Sequence, residues 1–307
     1  MTRRERLDSR NFDFREPSVT ITTPAKAEVA VIGGSGLYKL FDSSLSTTHE
    51  IDTPYGTVQV TIGERADRTV AFLPRHGTGH SEAPHLINYR ANIWALASVG
   101  VRAIISSAAV GGVSPEYPPG MLVVTDQFID RTTGRADTFF DQGSVQHLAA
   151  ADPFDPTLRR IAIEALTALG EDFAPTGTVV VIQGPRFSTR AESTWFRSIG
   201  AHIVNMTQYP EVVLAAELNM GTVNLSFVTD ADAGLAPLET AEAVSASLVF
   251  HRLRTAQPRI LTAIDAILRG LPENFEPREL VASAEVSAAL ARGVVGSAPV
   301  FAVSDAE

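Results

Sequence analysis

The sequence predicts an α/β fold, a single domain with a mainly parallel or mixed central sheet flanked by helices. Short apolar runs that are typical of buried strands alternate along the chain with longer segments of helical periodicity. Such alternation implies a sheet that is covered by helices on both faces. We expect the domain at residues 27–270, between a flexible extension at 1–26 and a partly helical extension at 271–307. A length of 307 residues, 45% hydrophobic and 20% charged, suits one such domain.

Each predicted strand is a short apolar run that ends at a turn rich in glycine, proline or polar residues. These runs lie at 28–32, 58–62, 69–73, 103–105, 121–125, 177–182, 203–204 and 220–228. The predicted helices are longer segments at 88–97, 157–169, 191–199, 210–216, 239–257 and 259–268. Pro258 is expected to separate the last two, because proline removes a backbone hydrogen bond inside a helix.

Aromatic side chains indicate where irregular segments and helices meet the core. Residues 132–156 form a polar loop for which Phe139, Phe140 and Phe154 are the expected anchors. Long loops in compact domains are often functional. In the helix at 88–97, Trp94 is expected to pack in the core rather than to support a substrate.

Composition and charge exclude several classes of protein. The net charge of −10, from 25 basic and 35 acidic residues, is opposite to that of a nucleic-acid-binding surface. The absence of cysteine excludes disulfides and thiolate metal sites. No apolar run approaches the ~20 residues that span a bilayer, and the N-terminus lacks the apolar core of a signal peptide. We therefore expect a cytoplasmic protein that binds neither nucleic acid nor membrane.

A glycine-rich turn, Gly-Gly-Ser-Gly at 33–36, follows the first predicted strand. Glycines let backbone amides approach an anion closely, and Ser35 adds a hydroxyl. The turn matches the first half of a dinucleotide-binding fingerprint, but Lys39 occupies the position of the third glycine. Glu50 and Asp52 stand roughly where a ribose-binding acid would be expected. A phosphate-binding loop fits better than an NAD-type Rossmann oxidoreductase, which stays open as an alternative.

Basic side chains follow the predicted strand at 69–73. Arg75 and His76 stand together at its end, and a cation beside an imidazole suits an anion. In isolation, a surface arginine with a buried core histidine is an equally good interpretation. His80 and His85 continue a histidine-rich loop, but no helical spacing typical of a zinc site accompanies them, so we expect no metal.

The turn at 205–209 lies between a predicted strand and a predicted helix. Pro210 and Glu211 suit a first helical turn, where proline loses no hydrogen bond and an acid faces the helix dipole. The Thr207 hydroxyl and nearby backbone amides could bind an oxyanion or a sugar hydroxyl at such a strand end. The alternative is an ordinary connection between a strand and a helix.

Three further features have both a functional and a structural interpretation. The small residues at 106–112 would let a flat ligand lie against the backbone. Phe187 emerges from a Gly-Pro turn and would either stack on a base or pack in the core. Asp230 and Asp232 follow the last predicted strand, where acids more often cap a turn than take part in chemistry.

In order and spacing, these strand ends resemble a known family. The motifs are Gly-Gly-Ser-Gly at 33–36, Arg-His-Gly at 75–77, Gly-Pro-Arg-Phe at 184–187, Asn-Met-Thr at 205–207 and Asp-Ala-Asp at 230–232, with longer matches at 88–96, 126–133 and 185–193. They closely resemble the 5′-methylthioadenosine phosphorylases, in the trimeric purine nucleoside phosphorylase family. The resemblance covers roughly residues 28–269, and its motifs are specific together although none is specific alone.

The resemblance implies phosphorolysis of 5′-methylthioadenosine to adenine and 5-methylthioribose 1-phosphate. It also implies a homotrimer with sites at subunit interfaces, with inorganic phosphate as co-substrate and no metal or organic cofactor. The implied phosphate-binding residues are Ser35, Arg75, His76, Thr207 and an amide near Ala109. The implied substrate-binding residues are Met206 under the ribose, Phe187, Val110 and Gly111 beside the purine, Ala246 and Val249 around the 5′ substituent, and His147 reaching a neighbouring subunit's substrate. The implied catalytic residues are Asp230, which donates or shares a proton with the purine, and Asp232, which receives the 6-amino group.

The reaction explains why these residue types are needed. Cleavage of the bond to the base places positive charge on the ribose and negative charge on the purine. A phosphate dianion stabilises the first charge, and a proton on the leaving base cancels the second. Since the reference pKa of aspartate is ~3.9, Asp230 must be desolvated or share a proton with Asp232 to act as an acid. We therefore predict a raised pKa for Asp230.

The substrate has two further determinants in the sequence. Carboxylates accept from a 6-amino group and repel a 6-oxo group, and Ser188 stands where the related inosine and guanosine phosphorylases carry glutamate, so adenine is favoured. The small apolar 5′ pocket would fit methylthio, a halogen or hydrogen. A phosphorylase for 5′-halo-5′-deoxyadenosine or for a 6-oxopurine nucleoside is therefore the alternative within this chemistry.

One position departs from the family pattern. Ser107 and Ala108 replace a threonine-containing pair, so a phosphate-binding hydroxyl is missing at Ala108. This departure bears on phosphate affinity rather than on reaction type. A non-catalytic nucleoside-binding module is a further alternative, but it would be expected to have lost Asp230 or Thr207, and both are present.

Overall fold

A mixed sheet of eleven strands runs through the part of the chain that the computed structural model describes, which is residues 26–77, 79–233 and 245–293. The strands are β1 (Val29–Gly33), β2 (Ser46–Thr53), β3 (Gly56–Arg65), β4 (Arg68–Pro74), β5 (Ala103–Gly112), β6 (Leu122–Val124), β7 (Gln127–Arg131), β8 (Phe173–Ala174), β9 (Thr178–Ile182), β10 (Ile203–Asn205) and β11 (Gly221–Ala231). The helices are α1 (Tyr89–Ser98), α2 (Pro156–Ala168), α3 (Arg190–Ser198), α4 (Gln208–Glu217), α5 (Ala246–Gly270) and α6 (Ser283–Leu290). The predicted α/β fold class is confirmed.

The order of the strands brings several carboxyl ends to one edge of the sheet. The main path is β2-β3-β4-β1-β5-β10-β9-β7, and β11 pairs with β5 and β6 beside it. β1 lies parallel between β4 and β5, with Val31 opposite both Phe72 and Ile105. β5 is parallel to β11 and antiparallel to β10. Strands β4, β1, β5 and β11 therefore end together, at the kind of edge where α/β folds bind ligands.

Helices cover both faces of the sheet because its central strands are apolar on both sides. Ala30 and Ile32 of β1 belong to a buried cluster that also includes residues of α1, α4 and α6. Val29 and Val31 belong to a second cluster that includes residues of α2 and α5. Alternate residues of a strand point to opposite faces, so β1 anchors both layers. Trp94 of α1 is buried in the first cluster, as predicted.

Helix α5 differs from its prediction. It continues without a break through Pro258 for 25 residues. The buried residues on both sides of the proline, from Leu253 to Leu268, lie on one stripe against the sheet and α2. Burial of this stripe outweighs the local cost of one proline, which is about 3 kcal/mol in a helix interior. The part of the predicted helix at 239–244 lies outside the described residues.

Two strands are longer than predicted. β5 does not stop at Ile105 but continues through the small residues to Gly112, because β11 and β10 pair with that stretch. β11 likewise continues to Ala231, with an irregularity in its pairing between Val228 and Asp230. Asp230 therefore lies on a strand, whereas the sequence placed it in a loop. The strands β7 and β8 were not predicted.

The long loop before α2 is anchored to the core by buried aromatic side chains and by hydrogen bonds to α4. Phe139, Phe140 and Phe154 are buried, as predicted. Glu217 of α4 accepts hydrogen bonds from the Phe139 amide at 2.7 Å and from Thr138 Oγ1 at 2.7 Å. A buried carboxylate thereby ties the loop to the helix layer.

The segment beyond residue 270 adds α6 to the outside of α1. Trp94 Nε1 donates to Ala289 O at 3.3 Å, and Val286 and Ala289 are buried. The predicted N-terminal extension up to residue 25, and residues 294–307 of the C-terminal one, lie outside the described residues. Among the helices of the described chain, none has the length and apolar character of a membrane span.

Candidate active site

A cavity of about 320 Å³ opens where β1, β4, β5 and β11 end. Thirteen of the fourteen predicted site residues line it: Ser35, Arg75, His76, Ala109, Val110, Gly111, Phe187, Met206, Thr207, Asp230, Asp232, Ala246 and Val249. The fourteenth, His147, is exposed on the long loop and does not line the cavity of its own chain.

Strand pairing explains why residues distant in sequence meet here. β1 and β4 are parallel neighbours, and the Arg75 amide donates to Gly33 O at 2.9 Å just beyond their ends. The turns that carry Ser35 and Arg75 are therefore adjacent. Gly34 is required for packing, because a Cβ there would lie 2.4 Å from Ser107 O.

The position of the acids at Glu50 and Asp52 does not fit a dinucleotide site. Both lie on β2, the edge strand at one end of the strand order, and neither lines the cavity. The glycine-rich turn needs its glycine at position 34 because it packs closely against β5, so a bound nucleotide is not required to explain that residue.

Arg75 is buried and its side chain is fully oriented. Nε and Nη2 donate to the Glu211 carboxylate at 2.5 and 2.7 Å, and Nη1 donates to Ser107 O at 2.8 Å. Glu211 was predicted to face the helix dipole, but its partner is this guanidinium. The pair is buried on both sides, so removing one member would leave an uncompensated charge. The alternative of a surface arginine at position 75 is wrong.

His76 is held in one tautomer. Its Nδ1 lies 2.9 Å from Glu82 O, and because a carbonyl only accepts, Nδ1 carries the hydrogen. Neutral His76 then presents Nε2 to its surroundings as an acceptor. Burial lowers the pKa of His76 to about 4, and the positive charges of Arg75 and His80 add to this. The free site therefore contains a neutral imidazole.

His80 joins the same cavity wall, which the sequence did not reveal. Its ring lies 4.3 Å from that of His76 and 5.2 Å from that of Phe250, measured between centroids. Within the described chain, its buried Nδ1 has no hydrogen-bond partner. The spacing of four residues between the two histidines was the available signal, but a loop gives no rule for which side chains converge.

The departure at Ala108 has a structural counterpart. Ala108 lines the cavity with a methyl group, whereas Ser107 Oγ accepts from the Gly34 amide at 3.2 Å. The Ser107 hydroxyl is therefore engaged in holding the glycine-rich turn and does not line the main cavity.

The two acids lie on and just after β11. Asp230 Oδ2 accepts from Thr229 Oγ1 at 2.7 Å, and both aspartates are buried. Burial raises the pKa of Asp230 to about 6 against the effect of the Thr229 hydrogen bond, and neighbouring Asp232 raises it further. Burial also raises the pKa of Asp232. The predicted elevation for Asp230 is confirmed, and its main cause is desolvation.

The wall beside the acids contains a glycine and apolar side chains. A Cβ at Gly111 would lie 3.2 Å from Asp230 Oδ1 and 3.1 Å from Val204 Cγ1, so glycine keeps this wall open. Phe187 is 40% exposed and lines the cavity, which makes core packing the wrong alternative. Gly111 and the exposed ring of Phe187 would suit a planar ligand in this cavity.

Two polar atoms near the acids make no hydrogen bond of good geometry in the described residues, although the Ser188 hydroxyl is close enough to act against the rise in the pKa of Asp232. They are Asp232 Oδ2, which can accept, and Ser188 Oγ, which can donate and accept. Both residues line the cavity. The described residues contain no group of three or more His, Asp or Glu side chains that could hold a metal ion.

Known proteins resemble this chain along most of its length. The family model of the phosphorylase superfamily matches residues 28–268. A purine nucleoside phosphorylase of Streptomyces coelicolor is 46% identical over 263 residues, covering 82% of this chain and 91% of that protein. An S-methyl-5′-thioadenosine phosphorylase of Mycolicibacterium smegmatis is 50% identical over 226 residues, covering 73% and 85%. The structure of methylthioadenosine phosphorylase from Schistosoma mansoni in complex with adenine has a TM-score of 0.75 and 32% identity, covering 86% and 98%.

Proposed function

Because the chain belongs to the phosphorylase superfamily, we propose that it is a purine nucleoside phosphorylase-type pentosyltransferase that cleaves 5′-methylthioadenosine with phosphate. The products are adenine and 5-methylthioribose 1-phosphate. The observation that carries this proposal is that one cavity unites Arg75, His76 and Thr207 with a buried aspartate whose pKa is about 6. These are the groups needed to hold an oxyanion and to protonate a leaving base.

Phosphate binds beside the turn of Ser35 and the Arg75–His76 pair. The guanidinium is locked by Glu211, so it offers directed N–H groups rather than a mobile charge. His76 can donate through Nε2 only after it takes up a proton, since Nδ1–H is committed to Glu82 O. The dianion then stabilises the positive charge that develops on the ribose.

Asp230 supplies or shares the proton that the purine needs as it leaves. A pKa of about 6 keeps an appreciable fraction of its carboxyl protonated near neutrality, where a general acid is most effective. The proton passes to a ring nitrogen of the base, and the bond between base and sugar breaks as phosphate takes its place. No metal or organic cofactor enters this scheme; inorganic phosphate is the co-substrate.

Adenine is favoured by the polar atoms beside Asp230. Within the described chain, Asp232 Oδ2 is a buried acceptor that makes no hydrogen bond of good geometry, and a 6-amino group would satisfy it. A 6-oxo group would instead face a carboxylate. Ser188 Oγ offers a second neutral contact, so this wall supports an aminopurine over a 6-oxopurine.

The 5′ group lies against Ala246 and Val249 at the start of α5, with Phe250 nearby. These side chains offer no hydrogen bond, which suits a methylthio group. Each buried methylene-sized unit contributes ~0.8 kcal/mol. A 5′-halo-5′-deoxyadenosine would fit the same surface and remains the second candidate.

A homotrimer with shared sites is part of the proposal. His147 and its neighbour Val145 are exposed, Val145 by 75%, and His147 is available to reach another subunit's cavity. Light scattering in solution would test the subunit number, and a monomer that turns over substrate would exclude a shared site. We also place the protein in the cytoplasm, where nucleosides and phosphate are metabolites.

The decisive experiment measures adenine release from 5′-methylthioadenosine with and without phosphate, beside 5′-chloro-5′-deoxyadenosine, adenosine and inosine. We expect strictly phosphate-dependent release from methylthioadenosine and none from inosine. Faster turnover of the chloro compound would favour the halogenated substrate. Release without phosphate would indicate a hydrolase, and no release from any compound would exclude the enzyme.

A further inference from the structure

The hydroxyl of Thr207 does not do what a threonine usually does at the start of a helix. Thr207 is the N-cap residue of α4, but its side chain makes no capping hydrogen bond. Instead, Asn205 Oδ1 accepts from the amides of Thr207 at 2.9 Å and Gln208 at 3.1 Å. Asn205 has thus taken over part of the capping role, and the Thr207 hydroxyl is left for another partner.

These two backbone bonds fix the orientation of the Asn205 amide group. Of the two terminal atoms of the amide group, only the oxygen can accept from backbone N–H groups, so Oδ1 must face the helix and Nδ2 must face the other way. Nδ2 then donates to Thr207 Oγ1 at 3.2 Å. Oγ1 is therefore an acceptor in this contact, and its own hydrogen has to point elsewhere.

No other partner for that hydrogen exists among the described residues. The hydrogen bond from Asn205 is the one bond of Thr207 Oγ1 in that part of the chain. Both side chains are 5% exposed and line the cavity. The hydroxyl hydrogen is consequently available to a ligand oxygen in the cavity.

We propose that Asn205 is a positioning residue that fixes the Thr207 hydroxyl as a donor to an anionic oxygen of phosphate. The inference rests on the phosphate site of the proposed function and adds a residue that acts through Thr207. A donor set in advance loses little rotational freedom on binding.

The substitution Asn205→Asp tests the direction of the hydroxyl. A carboxylate retains an oxygen for both backbone amides, but its second oxygen accepts where Nδ2 donated. The Thr207 hydrogen would then turn toward residue 205 and away from phosphate. We expect phosphate affinity, measured calorimetrically with inorganic phosphate alone, to fall about 100-fold or more, because charge repulsion adds to the lost bond. The KM for the nucleoside should change by less than about threefold.

A double-substitution cycle separates direction from charge. Thr207→Val should weaken phosphate binding about 10- to 100-fold, and Thr207→Ser should restore it. In the Thr207→Val background, Asn205→Asp retains only the charge effect, so its cost should be at least about tenfold smaller than in the wild type. Equal costs in both backgrounds would overturn the proposal.

Asn219 provides a matched control. Its Oδ1 also accepts from two backbone amides, those of Leu280 and Val281, and its Nδ2 donates to Val281 O at 2.7 Å. Asn219→Asp should lower thermal stability and leave phosphate affinity unchanged. If Asn205→Asp does not fold, Asn205→Ala takes its place, with an expected loss of about three- to tenfold that disappears in the Thr207→Val background.

The outcomes separate this inference from the proposed function. If the wild-type protein does not bind inorganic phosphate, the phosphate site itself is wrong. If it binds phosphate and the two substitutions act independently, only the role of Asn205 is wrong.

Discussion

Asp230 is expected to lower the stability of the folded protein at neutral pH. Its folded-state pKa is about 6, mainly because it is buried, whereas an exposed aspartate has a pKa of ~3.9. A difference of about two units, at 1.36 kcal/mol per unit, corresponds to about 3 kcal/mol. We predict that Asp230→Asn, which removes this titration, raises the free energy of unfolding at pH ~7 by about 2 kcal/mol relative to its effect at pH ~4, where the unfolded-state carboxyl is already about half ionised.

The sign of this pH dependence follows from whether the folded or the unfolded state binds the proton more tightly. A carboxyl whose folded pKa is raised contributes stability below its unfolded pKa of ~3.9 and loses it as the pH rises through about 6. His76 acts in the opposite sense, because its folded pKa is lowered to about 4 and stability is lost as the pH falls toward that value. The two contributions oppose each other in the wild type. The quantity to measure is therefore the difference between Asp230→Asn and the wild type at each pH.

Urea unfolding of both proteins from pH ~4 to ~8 gives this difference. In kinetic assays of the same samples, Asp230→Asn should have a kcat roughly 10²- to 10⁴-fold below that of the wild type, because the proposed general acid is lost. Glu217→Gln is the control. Burial also raises the pKa of Glu217, but its carboxylate accepts from Phe139 N and Thr138 Oγ1, so its replacement should destabilise the protein at pH ~7. A pH-independent effect of Asp230→Asn, or a loss like that of Glu217→Gln, would refute the reasoning.

Three further predictions concern the cavity and the residues that support it. Glu211→Gln leaves the Arg75 charge unpaired, so unfolding in urea should show a loss of ~3–5 kcal/mol in the free energy of unfolding. Phosphate at 100-fold excess over its Kd should restore ~2.7 kcal/mol of that loss. The control Glu171→Gln, in a more exposed ion pair, should cost at most ~1 kcal/mol. The KM for phosphate should rise up to about tenfold per pH unit above neutrality, because neutral His76 must take up a proton to donate to a dianion. The same pH dependence of this KM in His76→Gln would contradict the prediction. Gly111→Ala should lower kcat/KM ~10- to 100-fold, since its Cβ would lie 3.2 Å from an oxygen of the acid pair; unaltered kinetics would show that this wall can yield.

The residues that line the cavity could be predicted because their signals are local. Ser35, Arg75 and Thr207 each stand shortly after an apolar run, at a turn marked by glycine or a polar residue. Because β1 and β4 are parallel neighbours, Ser35 and Arg75 must converge at one edge. Thr207 instead follows β10, which runs antiparallel to β5. The resemblance added roles to these positions. The convergence of Ser35 and Arg75 follows from the fold class, whereas that of Thr207 depends on the reversed direction of β10.

Partners across the sheet could not be predicted. Glu211 lies 136 residues from Arg75, and in the sequence it is only an acid at the start of a helix, where the dipole already explains it. The contact depends on how α4 is placed over β4, which no local pattern encodes. His80 is a similar case, since its position depends on a loop path beside α5.

Packing also overrode two local rules. Pro258 normally ends a helix, but the apolar stripe of α5 continues across it and is buried along its length. Asp230 normally favours a turn, but β5 pairs with β11 up to Ala231 and holds the backbone extended. At both positions long-range burial and strand pairing determined the backbone, and for Asp230 the same burial raises the pKa that the proposed chemistry needs.

The part of the cavity assigned to phosphate carries little net charge before a ligand arrives. The charge of Arg75 is balanced by Glu211, and His76 is neutral because burial lowers its pKa to about 4. A dianion that enters a buried and nearly neutral site loses hydration, which is unfavourable unless directed donors or a proton compensate. In the proposed site, proton uptake by His76 and a pre-oriented Thr207 hydroxyl would provide both. In a protein of net charge −10, selectivity for an oxyanion therefore depends on the direction of a few hydrogen bonds and not on overall attraction.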